Sequence, residues 1–270
     1  MCGHRFVSLI ARIAPWTLQG SYLTIVYNEA METTTFDKER EVTSKGEFLV
    51  VGVDEAGRGP LCGPVVAAAV CYKRSDFVIP PELEKEFMLI RDSKKLSERQ
   101  REQMFDFIGE HFFVGVGIVH ADTIDRINIL QATFLAMKSA ISQLMKNIPT
   151  QHENHDRSSR VYVLIDGNQE IPNLSLKQEA VVSGDSTVKS IAAASIIAKV
   201  TRDRMIVEYD KLYPQYGLAK HKGYGTKVHM DALRKYGPSP IHRMSFKPVL
   251  LSIPENANKR FSHVLKPKKR

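Results

Sequence analysis

The stretch LVVGVDEAGRGPLCGPVVAAAVCY, residues 49–72, constrains the fold more than any other part of the chain. Its two ends are unbroken apolar runs, which is the pattern of strands that are buried on both faces. The Gly and Pro residues between them predict a tight turn. Two acids, Asp54 and Glu55, therefore stand at the end of a buried strand, where an uncompensated charge is costly.

The rest of the chain predicts further strands and four helices. Ser97 and Gln100 have the spacing of a capping box, so a helix is predicted to begin there. The longest predicted helix, residues 186–214, contains the small side chains AAAS, which permit close packing on a sheet. The other predicted elements are strands at residues 112–120, 161–167 and 179–185 and helices at residues 127–144 and 226–236. The predicted strands and helices are thus interspersed along the chain.

Composition limits the class of protein. With 270 residues, 43% of them hydrophobic and 25% charged, the chain is expected to be globular. The 38 Lys and Arg against 30 Asp and Glu give a net charge of +8, which favours a polyanionic partner such as nucleic acid. The three cysteines lack CxxC spacing, which argues against a disulfide framework or zinc site and favours the cytoplasm. No apolar run reaches the roughly 18 residues of a membrane span, so no membrane association is expected.

The first 45 residues leave two interpretations open. Residues 1–28 contain no acid and carry Arg5 and Arg12, which is compatible with a transit-like segment. They have no clean apolar core or cleavage site, so the favoured interpretation is an upstream start: Met31 begins the polar stretch that leads into the first predicted strand.

Acidic residues recur where predicted strands end. Asp54 and Asp166 each terminate a Val-, Ile- and Leu-rich run, Glu55 follows the first of them, and Asp203 lies on the long predicted helix. A single Asp before Gly is accounted for by a strand end or a helix cap. Several such acids in matching positions favour a site for hard divalent cations such as Mg²⁺ or Mn²⁺, because carboxylates are the ligands that these ions prefer.

Six segments, in this order along the chain, resemble ribonuclease HII, the type 2 ribonuclease H. They are VGVDEAGRGPLCGPVVAAAV, DSKKLS, LIDGN, GDSTVKSIAAASIIAKVTRDR, HKGYGT and GPSPIHRMSFKPV. The resemblance covers residues from about 47 to 249 and implies a ribonuclease H-like α/β fold, with a mixed five-stranded central sheet flanked by helices and a small helical C-terminal region. Within that range we expect a catalytic domain (46–213) and a substrate-binding helical region (214–250); outside it we expect an N-terminal extension (1–45), disordered or due to an upstream start, and a basic tail (251–270).

The resemblance also implies the site residues. The catalytic, metal-binding carboxylates would be Asp54, Glu55, Asp166 and Asp203, holding two divalent ions, either Mg²⁺ or Mn²⁺. A strand end suits such ligands because rigid sheet geometry fixes them better than a mobile loop does.

Substrate recognition is implied in two further segments. Gly57, Arg58 and Gly59 would read the 2′-hydroxyl at the junction between a ribonucleotide and a deoxyribonucleotide, and Tyr224 would stack on the following sugar. Lys94 is the preferred candidate for a phosphate contact, with Lys95 and Lys189 as further candidates.

The activity implied by the resemblance is metal-dependent cleavage of RNA in RNA/DNA hybrids and nicking of duplex DNA on the 5′ side of embedded ribonucleotides, by a monomer. One alternative is a type 3 ribonuclease H restricted to hybrids, which usually has Gly-Lys-Gly and a long N-terminal domain; Arg58 and the short leader argue against it. The other alternative is a catalytically inactive module that binds hybrids.

Overall fold

One mixed sheet organises the chain, of which the computed structural model describes residues 33–46, 49–149 and 160–253. Its strands are β1 (Leu49–Ala56), β2 (Val65–Tyr72), β3 (Phe112–Val119), β4 (Val161–Asp166) and β5 (Lys177–Val181). They lie in the order β3-β2-β1-β4-β5, with β1 antiparallel to β2, β2 antiparallel to β3, and β4 parallel to both of its neighbours. The predicted mixed five-stranded sheet is confirmed, although β5 ends four residues before the predicted strand.

Helices lie before β1, between β2 and β3, between β3 and β4, and after β5. They are α1 (Asp37–Ser44), α2 (Glu84–Leu89), α3 (Glu98–His111), α4 (Ala121–Ile127), α5 (Ile129–Asn147), α6 (Gly184–Thr187), α7 (Lys189–Leu212), α8 (Leu218–His221), α9 (Lys227–Tyr236) and α10 (Lys247–Leu250). The capping box of Ser97 and Gln100 is present at the start of α3. The long predicted helix is divided, because the extended backbone of Val188 separates the single turn of α6 from α7.

The sheet is buried on both faces, which explains the unbroken apolar run of β2. Val50 of β1 belongs to an apolar cluster with residues of α7, α1, α2 and α3, whereas Val51 and Val53 belong to a second cluster with residues of α4 and α5. The helix α7 lies directly on β1 at Gly52, where an added Cβ would come within 2.2 Å of the carbonyl carbon of Ser190. This backbone contact fixes α7 over the strand that carries Asp54 and Glu55.

The segment around α1 belongs to the packed core, although its sequence is polar. Phe36 stacks on Tyr72 with a ring-centroid distance of 4.9 Å, and Val42 is buried. Glu39 is fully buried, and its Oε1 accepts a hydrogen bond from the backbone N–H of Ser190 at 2.8 Å, in the first turn of α7. The core therefore begins before the predicted boundary at residue 45; residues 1–32 of the predicted extension lie outside the described residues.

A smaller apolar cluster forms after α7. Ile206 of α7 packs with Tyr216, Leu218, Leu233 and Val249. Leu61, from the connection between β1 and β2, joins the same cluster. This contact brings the C-terminal part of the described chain next to the predicted substrate-reading turn. The division into a catalytic domain and a substrate-binding region stays a prediction, and most of the predicted basic tail (254–270) lies outside the described residues. None of the described helices is long and apolar enough to cross a membrane.

Candidate active site

Three carboxylates meet at one edge of the sheet. Val53 of β1 pairs with Ile165 of β4, so the next residues along these parallel strands, Asp54 and Asp166, lie side by side. The turn of α6 that follows β5 brings in Asp185. One carboxylate oxygen from each of these three aspartates lies within 4.8 Å of the other two. The sheet edge thus gathers three oxygen ligands from three separate elements.

The electrostatics of this cluster disfavour its own negative charge. Burial raises the pKa of Asp54 well above its usual value, and repulsion from Glu55 and Asp166 adds to the effect. Burial also raises the pKa of Asp166, with Asp185 as the next cause. Two backbone N–H groups compensate in part: Glu55 donates to Asp54 Oδ1 at 2.6 Å, and Asp185 donates to Asp166 Oδ1 at 3.2 Å. A bound divalent cation would relieve the remaining repulsion.

Glu55 lies next to the cluster in sequence, but its side chain leaves the other face of β1 and pairs with Arg58. Successive side chains of a strand point to opposite faces, so Glu55 leaves β1 on the other side from Asp54. Its Oε1 pairs with Arg58 Nη1 at 3.2 Å. Burial raises the pKa of Glu55; Arg58 opposes this shift, while the charge of Asp166 adds to it. Glu55 is therefore within electrostatic range of the three aspartates without belonging to their close group.

The prediction for Asp203 needs correction. Its Oδ1 pairs with Lys199 Nζ at 2.8 Å, and it is not among the three clustered aspartates. Ser195, which hydrogen-bonds to Asp54, lies on the same helix eight residues earlier. Because an α-helix rises 1.5 Å per residue, Asp203 is about 12 Å further along α7.

The sequence reasoning missed Asp185, and a signal for it was present. The segment EAVVSGD was predicted as a short strand, and Asp185 ends it. The pattern that selected Asp54 and Asp166, an acid at the end of a strand, applies equally to this position.

Two predicted phosphate-binding lysines have different environments. Lys94 Nζ lies 3.2 Å from Asp185 Oδ2 at the edge of the carboxylate cluster, and its side chain is 75% exposed. Lys189 is buried, and its Nζ donates to the backbone carbonyl of Phe87 at 2.8 Å. The suggestion that Lys189 contacts phosphate is therefore wrong, whereas Lys94 remains accessible to a ligand.

The turn at residues 57–59 faces Tyr224. Gly57 has a φ of +98°, and an added Cβ would come within 2.2 Å of Arg202 Nε, so only glycine fits there. A Cβ at Gly59 would lie 3.6 Å from Tyr224 Cε1, which places the tyrosine ring beside the turn. Arg58 and Tyr224 are both about half exposed. The structure thus brings together the two segments that the sequence assigned to substrate recognition.

Known proteins similar to this chain share its fold and motifs. The family model described as Ribonuclease HII matches residues 51–249. The chain is 48% identical over 220 residues to a protein named Ribonuclease HII from Endomicrobium trichonymphae, covering 81% of this chain and 95% of the relative.

Two solved structures are also similar. The ribonuclease H2 from Pyrococcus horikoshii OT3 has a TM-score of 0.56 at 25% identity, with 79% of this chain and 98% of that chain covered. A structure of Bst-RNase HIII in complex with Mn²⁺ has a TM-score of 0.58 at 18% identity, with 77% and 70% covered, and this likeness concerns the fold alone.

Proposed function

The chain belongs to the ribonuclease HII family, and we propose that it is an endonuclease that hydrolyses RNA in RNA/DNA hybrids and nicks duplex DNA on the 5′ side of embedded ribonucleotides. The products would be a 3′-hydroxyl and a 5′-phosphate. As a member of this family the protein is a hydrolase and a nuclease of the type 2 ribonuclease H class.

The observation that carries the proposal is the buried group of Asp54, Asp166 and Asp185. Its donors are carboxylate oxygens only, which suits Mg²⁺ or Mn²⁺ and not the softer metals that prefer thiolate or imidazole. Burial raises the pKa values of Asp54 and Asp166, and repulsion between neighbouring carboxylates raises them further, so a bound cation would favour their ionised forms. We assign metal binding to these three aspartates together with Glu55, so that Asp185 takes the place predicted for Asp203.

The carboxylates and Lys94 have different tasks in the proposed reaction. A pair of bound divalent ions supplies activation of water and stabilisation of the leaving oxygen. Asp54 and Asp166 are fixed by the paired strands, so they hold their carboxylates in a constant geometry. Lys94, beside Asp185 and exposed, is positioned to contact a phosphate of the substrate backbone.

The preference for a ribonucleotide junction is assigned to the turn at residues 57–59 and to Tyr224. Gly57 and Gly59 permit a close approach of the backbone to the 2′-hydroxyl, the group that distinguishes RNA from DNA. Tyr224, half exposed beside Gly59, offers a ring for stacking on the neighbouring sugar.

Net charge and cysteine content bear on the partner and the compartment of the protein. The net charge of +8 favours association with nucleic acid duplexes, including DNA that contains misincorporated ribonucleotides. We propose a role in ribonucleotide excision repair, in the cytoplasm and as a monomer. The two cysteines in the described part of the chain, Cys62 and Cys71, are buried as free thiols, which is compatible with a reducing compartment.

The test is cleavage of an end-labelled DNA duplex that contains one ribonucleotide, beside a hybrid with continuous RNA. Each substrate is incubated with Mg²⁺, with Mn²⁺ or with a chelator, and Asp54→Asn serves as the inactive control. The expected result is metal-dependent nicking on the 5′ side of the single ribonucleotide and cleavage of the hybrid.

Two outcomes would overturn parts of this proposal. Cleavage of the continuous hybrid alone would refute the junction-reading roles of the turn and Tyr224 and favour hybrid-restricted activity. Binding of both duplexes without any cleavage would refute the enzymatic function and favour a hybrid-binding module.

A further inference from the structure

A short segment near the C-terminal end of the described chain lies directly behind the turn at residues 57–59. Residues 241–243 run antiparallel to residues 61–63: Gly63 N–H donates to the Ile241 carbonyl at 2.8 Å, and Arg243 N–H donates to the Leu61 carbonyl at 2.9 Å. Cys62 and His242 form the bridge between them. The side chains of His242 and Arg243 therefore start from a backbone that is fixed to the turn.

Arg243 is fully buried, and its guanidinium binds four main-chain carbonyls. Nη2 donates to Gly57 at 2.6 Å, Nη1 donates to Arg58 at 3.0 Å and to Pro60 at 2.8 Å, and Nε donates to Gly63 at 3.0 Å. Burial, and then the charge of Arg202, lowers the pKa of Arg243 to about 9. A buried cation is costly unless its hydrogen bonds are satisfied, and the four charge-assisted bonds to carbonyls offset that cost for Arg243.

These contacts determine where the N–H groups of the turn point. In a trans peptide the C=O and the following N–H point in opposite directions. Because the Gly57 and Arg58 carbonyls point inward to Arg243, the N–H groups of Arg58 and Gly59 point away from it, on the exposed side of the turn. The same rule applied to Pro60 sends the Leu61 N–H away from Arg243, and that group donates to the Gly223 carbonyl at 2.9 Å.

His242 connects the same segment to Tyr224 through a second buried histidine. His242 Nδ1 accepts from the Ser239 N–H at 3.0 Å, so its proton is on Nε2, which donates to His229 Nε2 at 3.0 Å. His229 must then carry its proton on Nδ1, which donates to the Tyr224 carbonyl at 3.0 Å. Burial lowers the pKa of His242 to about 3 and lowers that of His229, in agreement with two neutral rings.

This chain of hydrogen bonds also explains the second group of potential metal ligands among the described residues. Cys62, His229 and His242 place one ligand atom each within 4.8 Å of one another. All four nitrogens of the two rings are already engaged in hydrogen bonds of consistent direction. The group is accordingly a hydrogen-bonded connection between two loops, with no ring nitrogen left for an ion.

We propose that Arg243 and His242 act together as positioning residues that set the preference for a ribonucleotide junction. Arg243 aims the N–H groups of the turn outward, and His242 fixes the Tyr224 backbone through His229. Both act on the spacing between the turn and Tyr224, where a Cβ added at Gly59 would touch the tyrosine ring at 3.6 Å from Cε1. The inference rests on the proposed function, since it assigns the origin of the junction preference to residues that do not touch the substrate.

The test compares Arg243→Lys with the wild-type protein on two substrates. Lysine keeps the positive charge but lacks the planar fork that reaches carbonyls on several sides. The quantity measured is the ratio of kcat/KM for a DNA duplex with one ribonucleotide to kcat/KM for a continuous RNA/DNA hybrid. Loss of these charged hydrogen bonds should lower the ratio about tenfold. The Mn²⁺ concentration for half-maximal hybrid cleavage should stay within about twofold of wild type, because the carboxylates are untouched.

The control is Arg204→Lys, the same exchange at an exposed arginine that pairs with Glu102 on the surface, and its ratio should match wild type. An equal loss of activity on both substrates, or an unchanged ratio, would overturn the proposal for Arg243.

If Arg243→Lys does not fold, Ser239→Ala is tested instead. It removes the hydroxyl 2.8 Å from His242 Nδ1 but keeps the backbone donor, so the ratio should fall about two- to threefold. An unchanged ratio there would overturn the proposal. A wild-type protein that fails to nick the single ribonucleotide would refute the proposed function itself.

Discussion

The ammonium of Lys94 lies 3.2 Å from the Asp185 carboxylate. Partial burial works against the charge of Lys94, but the hydrogen bond that it donates to Asp185 raises the pKa of the lysine above its usual value. The loop that contains DSKKLS is thereby tied to the carboxylate cluster, and the lysine supplies positive charge where a divalent cation is proposed to bind.

Lys94→Met should therefore change metal dependence and substrate binding in opposite directions. Without the competing ammonium, the Mn²⁺ concentration for half-maximal cleavage should fall about threefold, a typical size for one ion pair near the surface. If Lys94 also contacts a phosphate, KM for the duplex should rise and the salt dependence of binding should lose a slope of about one. Cleavage titrations with Mn²⁺ and binding at several salt concentrations measure both effects. Lys85→Met, at an exposed position on α2, is the control, and an unchanged Mn²⁺ titration for Lys94→Met would contradict the argument.

Asp185→Asn and Asp203→Asn should differ sharply in activity. Asp185 belongs to the close group of carboxylates, whereas Asp203 pairs with Lys199 further along α7. We expect Asp185→Asn to reduce the cleavage rate by more than about 100-fold. Mutation of residues that only hydrogen-bond to metal ligands already reduces metal affinity or activity about 10–100-fold. Asp203→Asn should reduce the cleavage rate by less than about tenfold. Single-turnover rates on the one-ribonucleotide duplex at several Mn²⁺ concentrations give the comparison, and the reverse order would restore the original assignment of Asp203.

Asp54→Asn should make the metal-free protein more stable. Burial and neighbouring carboxylates raise the pKa of Asp54 in the folded state, so its ionised form is destabilising. This penalty is absent in acid and appears as pH rises through the raised pKa, so the variant's advantage should grow from acidic to neutral pH. Thermal unfolding in chelator should show a higher midpoint for the variant at neutral pH, by about 2–4 °C for each kcal/mol.

Addition of Mn²⁺ should reduce or reverse this difference, because the cation neutralises the wild-type carboxylate. The exposed Asp106→Asn exchange controls for a general effect of removing negative charge. A variant that is less stable than wild type at every pH in chelator would show that Asp54 is mainly a structural residue.

Glu39 should matter for stability, although it lies in a segment that the sequence assigned to an extension. Glu39→Ala leaves the Ser190 N–H without its partner and opens a cavity, so it should cost about 2–3 kcal/mol of unfolding free energy. Glu39→Gln can keep the acceptor without a buried charge. Burial raises the pKa of Glu39, so wild type should lose stability as pH rises through that pKa, whereas the glutamine variant should not. Urea unfolding at acidic and at neutral pH measures this, and equal stability of the alanine variant and wild type would refute the role of Glu39.

The sequence predicted the sheet and two of the three clustered aspartates because both depend on local patterns. Asp54 and Asp166 follow apolar runs whose length and composition predict strands. Asp203 was misplaced because a helix periodicity tells which face a residue occupies but not how far along the sheet it lies. The segment of α1 was missed because only a few of its residues, such as Phe36 and Val42, are buried in an otherwise polar stretch.

The network around Arg243 had no sequence pattern that could reveal it. Its contacts with Gly57 and Arg58 join residues 186 and 185 positions apart, and their acceptors are backbone atoms that any residue type possesses. The sequence showed only that His242 and Arg243 belong to a motif of the family. Their task follows from the direction of the hydrogen bonds.

The use of backbone carbonyls as acceptors separates what holds the path of the loop from the side chain that the loop displays. Arg243 and Arg202 hold the connection between β1 and β2 through main-chain carbonyls of residues 57, 58, 60, 62, 63 and 64, so these hydrogen bonds need no side chain of the loop as an acceptor. The Arg58 side chain takes no part in this fixation, so it can pair with Glu55 while backbone groups alone hold the path of the loop.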